Sequence, residues 1–194
     1  MKKKKKLVRL VLFALFSALI VVMTFTPNFG YITIANTVSI TTIHIVVILG
    51  AAILGPAYGA GLGGVWGVLC LIKAFMEPIT FNVPFQNPLT SVLPRVLVGL
   101  FVGAIVYGLA KTKMPKTVSV TAATVVGTLT NTALVLTALK LFGGFEILFG
   151  SNAKLLTTIF ASIVAVNGVI ELIAALVLVP SIYMATHKII KNKI

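Results

Sequence analysis

The side chains that could take part in binding chemistry are a few polar groups set inside long apolar stretches. His44, Arg95, Asn131, Asn167 and Glu171 interrupt four such stretches. Charged and amide groups are costly in lipid, so inside a membrane segment they usually mark a ligand site or a pathway. Counted from the ends of the stretches, the first four lie at a similar depth in the outer half. This agreement predicts one shared pocket.

The chemistry of these groups suggests the kind of ligand. Arg95 can hold a carboxylate through two hydrogen bonds. Asn131 and Asn167 offer donors and acceptors for hydroxyl and amide groups. Glu171 could orient Asn167 or His44, or accept a hydrogen bond from a ligand hydroxyl. Gln86, in an outer connecting segment, is also predicted to bind the ligand. The expected ligand is small, polar and singly anionic.

Each of these residues also has a purely structural interpretation. Asn131 could join two helices by a hydrogen bond. The Arg95 side chain could extend to lipid headgroups. His44 could be a core histidine whose hydrogen bonds are satisfied locally. The pocket is preferred because the residues agree in depth, and not because of any one of them.

The elements that must position these groups are six apolar runs, each taken as a crossing of the bilayer. Pro, Gly and Asn separate them, and the outer segments are long and nearly uncharged. The predicted fold is an all-α membrane protein, a compact bundle of six transmembrane helices forming one domain over residues 1–194. The runs are Leu7–Phe25, Val38–Leu54, Ala57–Met76, Val92–Ala110, Thr117–Leu141 and Leu155–Thr186.

Composition and charge placement agree with a membrane protein. Of the 194 residues, 59% are hydrophobic and 10% charged, against about 25% charged in soluble domains. The net charge of +13 comes mostly from lysines at the two termini and in one inner loop, with Lys2–Lys6 the longest run. That placement predicts cytoplasmic termini and argues against nucleic-acid binding. The first apolar run is too long for a cleaved signal peptide, so we interpret it as a retained helix.

Small residues at intervals of four predict close helix packing. Gly55, Gly59, Gly63 and Gly67 form one stripe along the third run, which would allow another backbone to approach closely. Ala14 and Ala18 form a similar pair on the first run. That pair could serve packing within the chain or the docking of a partner protein, and spacing alone leaves both open.

Sequence motifs for energy coupling and catalysis are missing. The chain contains no phosphate-binding G-x-x-x-x-G-K-[ST] loop, no H-E-x-x-H motif and no Asp residue. Its one cysteine, Cys70, cannot build a disulfide framework or a thiolate zinc site. We therefore expect no enzyme activity, no metal and no cofactor.

Several stretches together resemble a known family. Ala14-Leu15-Phe16-Ser17-Ala18 matches an A-x-x-x-A motif, and Pro94-Arg95-Val96-Leu97-Val98-Gly99 matches the entry of a fourth helix. The region from Ile43-His44-Ile45 to Gly67 is also similar. The sequence resembles the substrate-binding S components of energy-coupling factor (ECF) vitamin transporters, and within them the pantothenate-specific members.

The resemblance implies a mechanism. Family members bind a vitamin in an outward-facing pocket in a bacterial cell membrane. They assemble, through the A-x-x-x-A motif, with a transmembrane coupling subunit and two cytoplasmic ATPases, and they reorient among the membrane lipids during import. Two other interpretations stay open. One is a self-sufficient ion-coupled carrier of a small anionic metabolite, with Glu171 and His44 relaying protons. The other is a structural membrane protein without a ligand.

Overall fold

The computed structural model describes residues 2–34, 38–79, 82–150 and 153–190. The elements in chain order, with a 3₁₀ turn at Val83–Gln86 between α3 and α4, are α1 Lys2–Phe25, β1 Tyr31–Ile34, β2 Val38–Thr41, α2 Ile43–Leu54, α3 Pro56–Met76, α4 Pro88–Leu109, α5 Lys116–Leu141, α6 Gly144–Phe149 and α7 Ala153–Ile190.

The predicted helical class is confirmed, and five helices within the described residues are long and apolar enough to cross a bilayer. They are α1, α3, α4, α5 and the Val166–Thr186 part of α7. Each overlaps one of the predicted apolar runs. The remaining run, Val38–Leu54, differs from the prediction.

The first four residues of that run form a strand and not a helix. Val38–Thr41 pairs antiparallel with Tyr31–Ile34, and Tyr31 lies opposite Thr41. The local sequence Val-Ser-Ile-Thr alternates apolar and polar residues and is rich in β-branched side chains, which favours a strand. The helix begins only at Ile43, so α2 has 12 residues, about 18 Å at 1.5 Å per residue.

The short helix α2 occupies the middle of the bundle. Of its residues, all but Ile53 are buried. One face packs with α1 and α3 through Val47, Leu62 and Trp66, and the other packs with α4, α5 and α7 through Ile48 and its neighbours. A helix enclosed by protein does not face lipid, so the thickness of the bilayer does not set its length.

The predicted glycine stripe lies at the seam between α3 and α4. A Cβ atom on Gly59 would overlap the Gly99 carbonyl, and one on Gly63 would overlap the Arg95 carbonyl. One on Gly67 would come within 2.6 Å of the Val92 Cα atom. The two backbones touch along several turns, which only residues without side chains permit.

Candidate functional site

A cavity of about 480 Å³ lies at the end of the bundle where α1 stops and the β-hairpin begins. The 3₁₀ turn and the ends of α3 and α5 surround the same space. Four of the six residues predicted to bind the ligand line it, namely Arg95, Asn131, Asn167 and Glu171. The sequence therefore identified groups that the fold brings together from α4, α5 and α7.

Arg95 is the buried cation of this cavity and is only 6% exposed. Its Nη1 atom donates to the Thr90 carbonyl at 2.9 Å. The guanidinium lies 5.1 Å from the centre of the Trp66 ring and 5.4 Å from that of Phe85. These aromatic faces favour a cation. The contact of Gly63 with the Arg95 backbone fixes the base of the side chain against α3.

No carboxylate forms an ion pair with Arg95 within the part of the chain that the structure describes; Glu171, in the same cavity, acts on it only at longer range. The one ion pair there joins Lys73 to Glu77 at 3.4 Å. The Arg95 Nε atom is buried and has no hydrogen-bond partner among the described residues. Because a buried charge without a counter-ion is unfavourable, this side of the cavity is suited to receive an anionic group.

The opposite wall carries amides and a carboxylate. Asn131 on α5 and Asn167 on α7 each have one buried polar atom without a described partner, Oδ1 and Nδ2 respectively. The Oε1 atom of Glu171 accepts a hydrogen bond from the Thr41 backbone nitrogen at 2.6 Å, which ties α7 to the hairpin. This wall can both donate to and accept from an uncharged polar ligand group.

Comparisons with known proteins give the family of the chain. A sequence model of the family described as "ECF transporter, substrate-specific component" matches residues 8–183. The chain belongs to this family. It is 33% identical to the pantothenic acid transporter PanT of Lactococcus lactis subsp. cremoris over 205 residues, covering 98% of this chain and 99% of that one. It is 38% identical to the pantothenate transporter PanT of Leuconostoc mesenteroides subsp. mesenteroides over 98 residues, 48% of each chain.

The protein is thus a transport component, an S component, and a multi-pass bacterial membrane protein. The predicted family is confirmed. The family membership and the named relatives also agree with the expectation of a transport protein rather than an enzyme.

Two of the predicted ligand-binding residues of this S component do not line the cavity. His44 on α2 is fully buried, and neither ring nitrogen has a described hydrogen-bond partner. Gln86 donates from Nε2 to the Ala74 carbonyl at 3.0 Å and so holds the 3₁₀ turn on α3. Neither position favours direct contact with a ligand in the cavity.

Ala14 and Ala18 lie away from the cavity. Both are exposed on α1 and neither belongs to the cavity lining. The exposed part of this helix also presents Leu15 and Leu19. The pair therefore does not serve the packing of the bundle around the site, and it is available to a neighbouring helix or to lipid.

Residues of α3, and Glu77 directly after its end, complete the site and were not predicted. Cys70, Lys73 and Glu77 line the cavity, and Trp66 lies beneath Arg95. Positions 66, 70, 73 and 77 recur at helical spacing and form one stripe, a signal that could have found them. The Nε1 atom of Trp66 donates a hydrogen bond to the Tyr31 hydroxyl at 3.2 Å. Burial raises the pKa of Tyr31, so its hydroxyl stays protonated.

Proposed function

We propose that this S component binds pantothenate and delivers it inward as part of an ATP-driven ECF importer. The observation that carries the proposal is the buried Arg95, which has no ion-pair partner among the described residues, together with the amides of Asn131 and Asn167 in the same cavity. Pantothenate has one carboxylate at one end and an amide and two hydroxyls along the rest. The names of the two relatives support the same substrate.

The ligand would lie across the cavity with its carboxylate on Arg95. Its amide and hydroxyl groups would then meet Asn131, Asn167 and the free capacity of Glu171. The Trp66 and Phe85 rings flank Arg95 and limit the access of water to the charged end. The cavity volume of about 480 Å³ falls in the usual range for small-molecule sites, roughly 300–1,000 Å³.

The membrane arrangement follows from the same proposal. The five long helices and α2 would give six crossings, with both termini in the cytoplasm beside the lysine clusters. The cavity would then open to the outside. A coupling subunit would dock on the α1 face that contains Ala14 and Ala18, and two ATPases would supply the energy. Reorientation of the whole S component would carry the pocket inward.

The binding proposal is tested with the purified chain in detergent. We expect Arg95→Ala to weaken pantothenate binding by about 30-fold or more, because removing one partner of a buried charged contact costs roughly 2–5 kcal/mol. A pantothenate analogue whose carboxylate is converted to an amide should bind wild type weakly. Arg95→Ala should no longer distinguish the two ligands.

The matched control is Arg9→Ala, since Arg9 is the other arginine of the chain and is exposed on α1. It should bind pantothenate like wild type. Calorimetric titration measures the affinity of wild type and of Arg95→Ala for pantothenate and for the amide analogue, and the affinity of Arg9→Ala for pantothenate. The assignment of Arg95 to the ligand carboxylate is wrong if two affinities both stay within about twofold of that of wild type for pantothenate. These are the affinity of Arg95→Ala for pantothenate and the affinity of wild type for the amide analogue.

The partner proposal has its own test. Ala14→Trp and Ala18→Trp should stop uptake by the assembled complex and reduce copurification of the coupling subunit, while pantothenate binding by the isolated chain survives. Ala104→Trp, on an exposed position of α4, is the matched control. Normal transport with a retained complex would refute the docking face.

A second reconstitution tests the source of energy. The isolated chain in vesicles with a proton gradient should not accumulate pantothenate, because the proposal takes the energy from ATP hydrolysis by partner subunits. Sustained uphill uptake by the chain alone would instead support the ion-coupled carrier. Uptake that needs both the partner subunits and internal ATP would support the importer.

A further inference from the structure

His44 is a buried polar residue for which the binding site has no direct use. Its ring is fully buried, and its nitrogens lack described hydrogen-bond partners. The ring comes near the Thr41 backbone without the geometry of a hydrogen bond. Buried polar groups without partners are rare, and a bound water often accounts for them.

The packing of α2 on α5 shows what His44 faces. A Cβ atom on Gly127 of α5 would lie 3.2 Å from Ile48 of α2, so these two positions are in contact. Thr41 and Asn131 both line the cavity, so α2 runs away from it and α5 runs toward it. One helical turn nearer the cavity, at spacing four, lie His44 on α2 and Asn131 on α5. They are therefore on facing turns.

Thr128 adds a third group without a partner. Helical threonines usually bond to the carbonyl four residues earlier, as Thr124 does with Val120 at 2.8 Å and Thr137 with Ala133 at 2.8 Å. The Thr128 hydroxyl is buried and makes no such bond among the described residues. It belongs to the same buried face of α5 as Gly127 and Asn131.

We propose that His44, Thr128 and Asn131 bind one water molecule beneath the cavity, and that this water holds the Asn131 carboxamide in its ligand-binding orientation. The donors and acceptors balance. The water donates to Asn131 Oδ1 and to one ring nitrogen of His44, and it accepts from the Thr128 hydroxyl. The other ring nitrogen of His44 carries a hydrogen, and a rotation of the ring would let it donate to the nearby Thr41 carbonyl.

Three hydrogen bonds is the usual number for a buried water. His44 is then a positioning residue that acts through Asn131, and of the three residues around the water only Asn131 touches the ligand. This role rests on the proposed function for its effect on pantothenate, while the water site itself does not depend on it. The two claims can therefore fail separately.

The first test removes a single hydroxyl with little change in shape. Thr128→Val should weaken pantothenate binding by about tenfold, the effect of losing one ordering hydrogen bond. Thr124→Val is the matched control one turn away, because that hydroxyl already bonds within its own helix; its affinity should stay within about twofold of wild type. In an Asn131→Ala background, Thr128→Val should have no further effect on affinity.

The second test addresses His44 itself. His44→Leu should weaken binding like Thr128→Val, whereas His44→Gln, which keeps a donor and an acceptor, should recover most of the affinity. If Asn131→Ala weakens binding while Thr128→Val and His44→Leu do not, the water site is refuted and the proposed function stands.

A measurement without ligand tests the opposite case, in which the water site exists but pantothenate is not the substrate. Thermal unfolding in detergent should show that Thr128→Val and His44→Leu each lower the unfolding temperature, and that the double variant lowers it no further than the larger single effect. Such coupling in a protein that does not bind pantothenate would support the water site and refute the proposed substrate. Fully additive shifts would overturn the water site.

Discussion

The two walls of the cavity are built in different ways. On the α3–α4 side the backbones touch, with Gly63 against Arg95 and Gly59 against Gly99. On the α5–α7 side the helices meet through side chains. A Cβ atom on Gly168 of α7 would find Thr132 Oγ1 at 3.3 Å, a tight contact with a side chain that can move.

This difference matches what each wall would do. A fixed cation needs a rigid support, because its desolvated charge must meet the ligand carboxylate at one distance. Asparagine side chains that form hydrogen bonds with hydroxyl and amide groups of a ligand can adjust by rotating about their side-chain bonds. We infer that the α3–α4 wall sets the position of the ligand and that the α5–α7 wall adapts to its shape.

The largest effect should follow from opening the α3–α4 wall. Gly63→Ala forces a methyl group onto the Arg95 carbonyl, and such overpacking costs roughly 1–3 kcal/mol of stability. It also moves the base of the Arg95 side chain. We expect a lower unfolding temperature in detergent together with loss of measurable pantothenate binding.

The neighbouring glycine provides the control for this change. A Cβ atom on Gly64 would lie 3.7 Å from Val96 Cγ2, an ordinary contact. Gly64→Ala should therefore fold and bind like wild type. If Gly63→Ala binds pantothenate normally, the α3–α4 wall is not the rigid support that the comparison requires.

A smaller effect is expected from the adaptable wall. Asn167→Ala removes an amide whose buried Nδ2 atom has no described partner, so little stability should be lost. Pantothenate binding should weaken by about fivefold, the value of one net hydrogen bond. Asn131→Ala should weaken it by at least the roughly tenfold expected for Thr128→Val, because it removes the side chain that the proposed water orders. Analogues lacking one hydroxyl should lose less affinity against these variants than against wild type.

Gln86→Ala is the matched control for these amide deletions. The Gln86 amide donates to the Ala74 carbonyl and lies outside the cavity lining, so binding should stay within about twofold. A monodisperse Asn167→Ala or Asn131→Ala protein with unchanged affinity would return that residue to a role in helix packing alone.

The sequence predicted well how far along its helix each polar residue lies, and predicted poorly in which direction around the helix axis its side chain points. The runs predicted the helix centres because a bilayer requires about 20 apolar residues per crossing. Depth grouped Arg95, Asn131 and Asn167, and Glu171 lies one helical turn from Asn167; all four line the cavity. His44 has a depth near theirs, but α2 is apolar on every side. Such a helix has no polar or lipid face in its sequence, so the direction of one residue around its axis could not be predicted.

The contribution of α3 was missed for a different reason. Lys73 lies near the end of the third apolar run, and hydropathy treats a lysine there as a topology signal rather than a site residue. Its role in the cavity depends on α1 ending beside it, where Lys73 Nζ donates to the Thr24 carbonyl at 3.4 Å. The β-hairpin was missed because its second strand is apolar enough to merge with α2. Both features arise from tertiary contacts.

The smallest effect should come from the mouth of the cavity, outside both walls. Lys73 and Glu77 form an ion pair at 3.4 Å, with the two side chains 26% and 56% exposed. Pairs this exposed are typically worth under about 1 kcal/mol, so Glu77→Gln should leave pantothenate affinity within about twofold.

The rate of association should respond more than the affinity. Glu77→Gln removes a negative charge from the path of an anion and should speed binding at low salt, whereas Lys73→Gln should slow it, and both differences should shrink as salt screens them. Trp66, the one tryptophan of the chain, lies 5.1 Å from the Arg95 guanidinium, so stopped-flow fluorescence can follow binding without a label. If Glu77→Gln loses more than about tenfold in pantothenate affinity, Glu77 contacts the ligand. The α3–α4 and α5–α7 walls would then not account for binding by themselves, and the mouth of the cavity would be a third binding region.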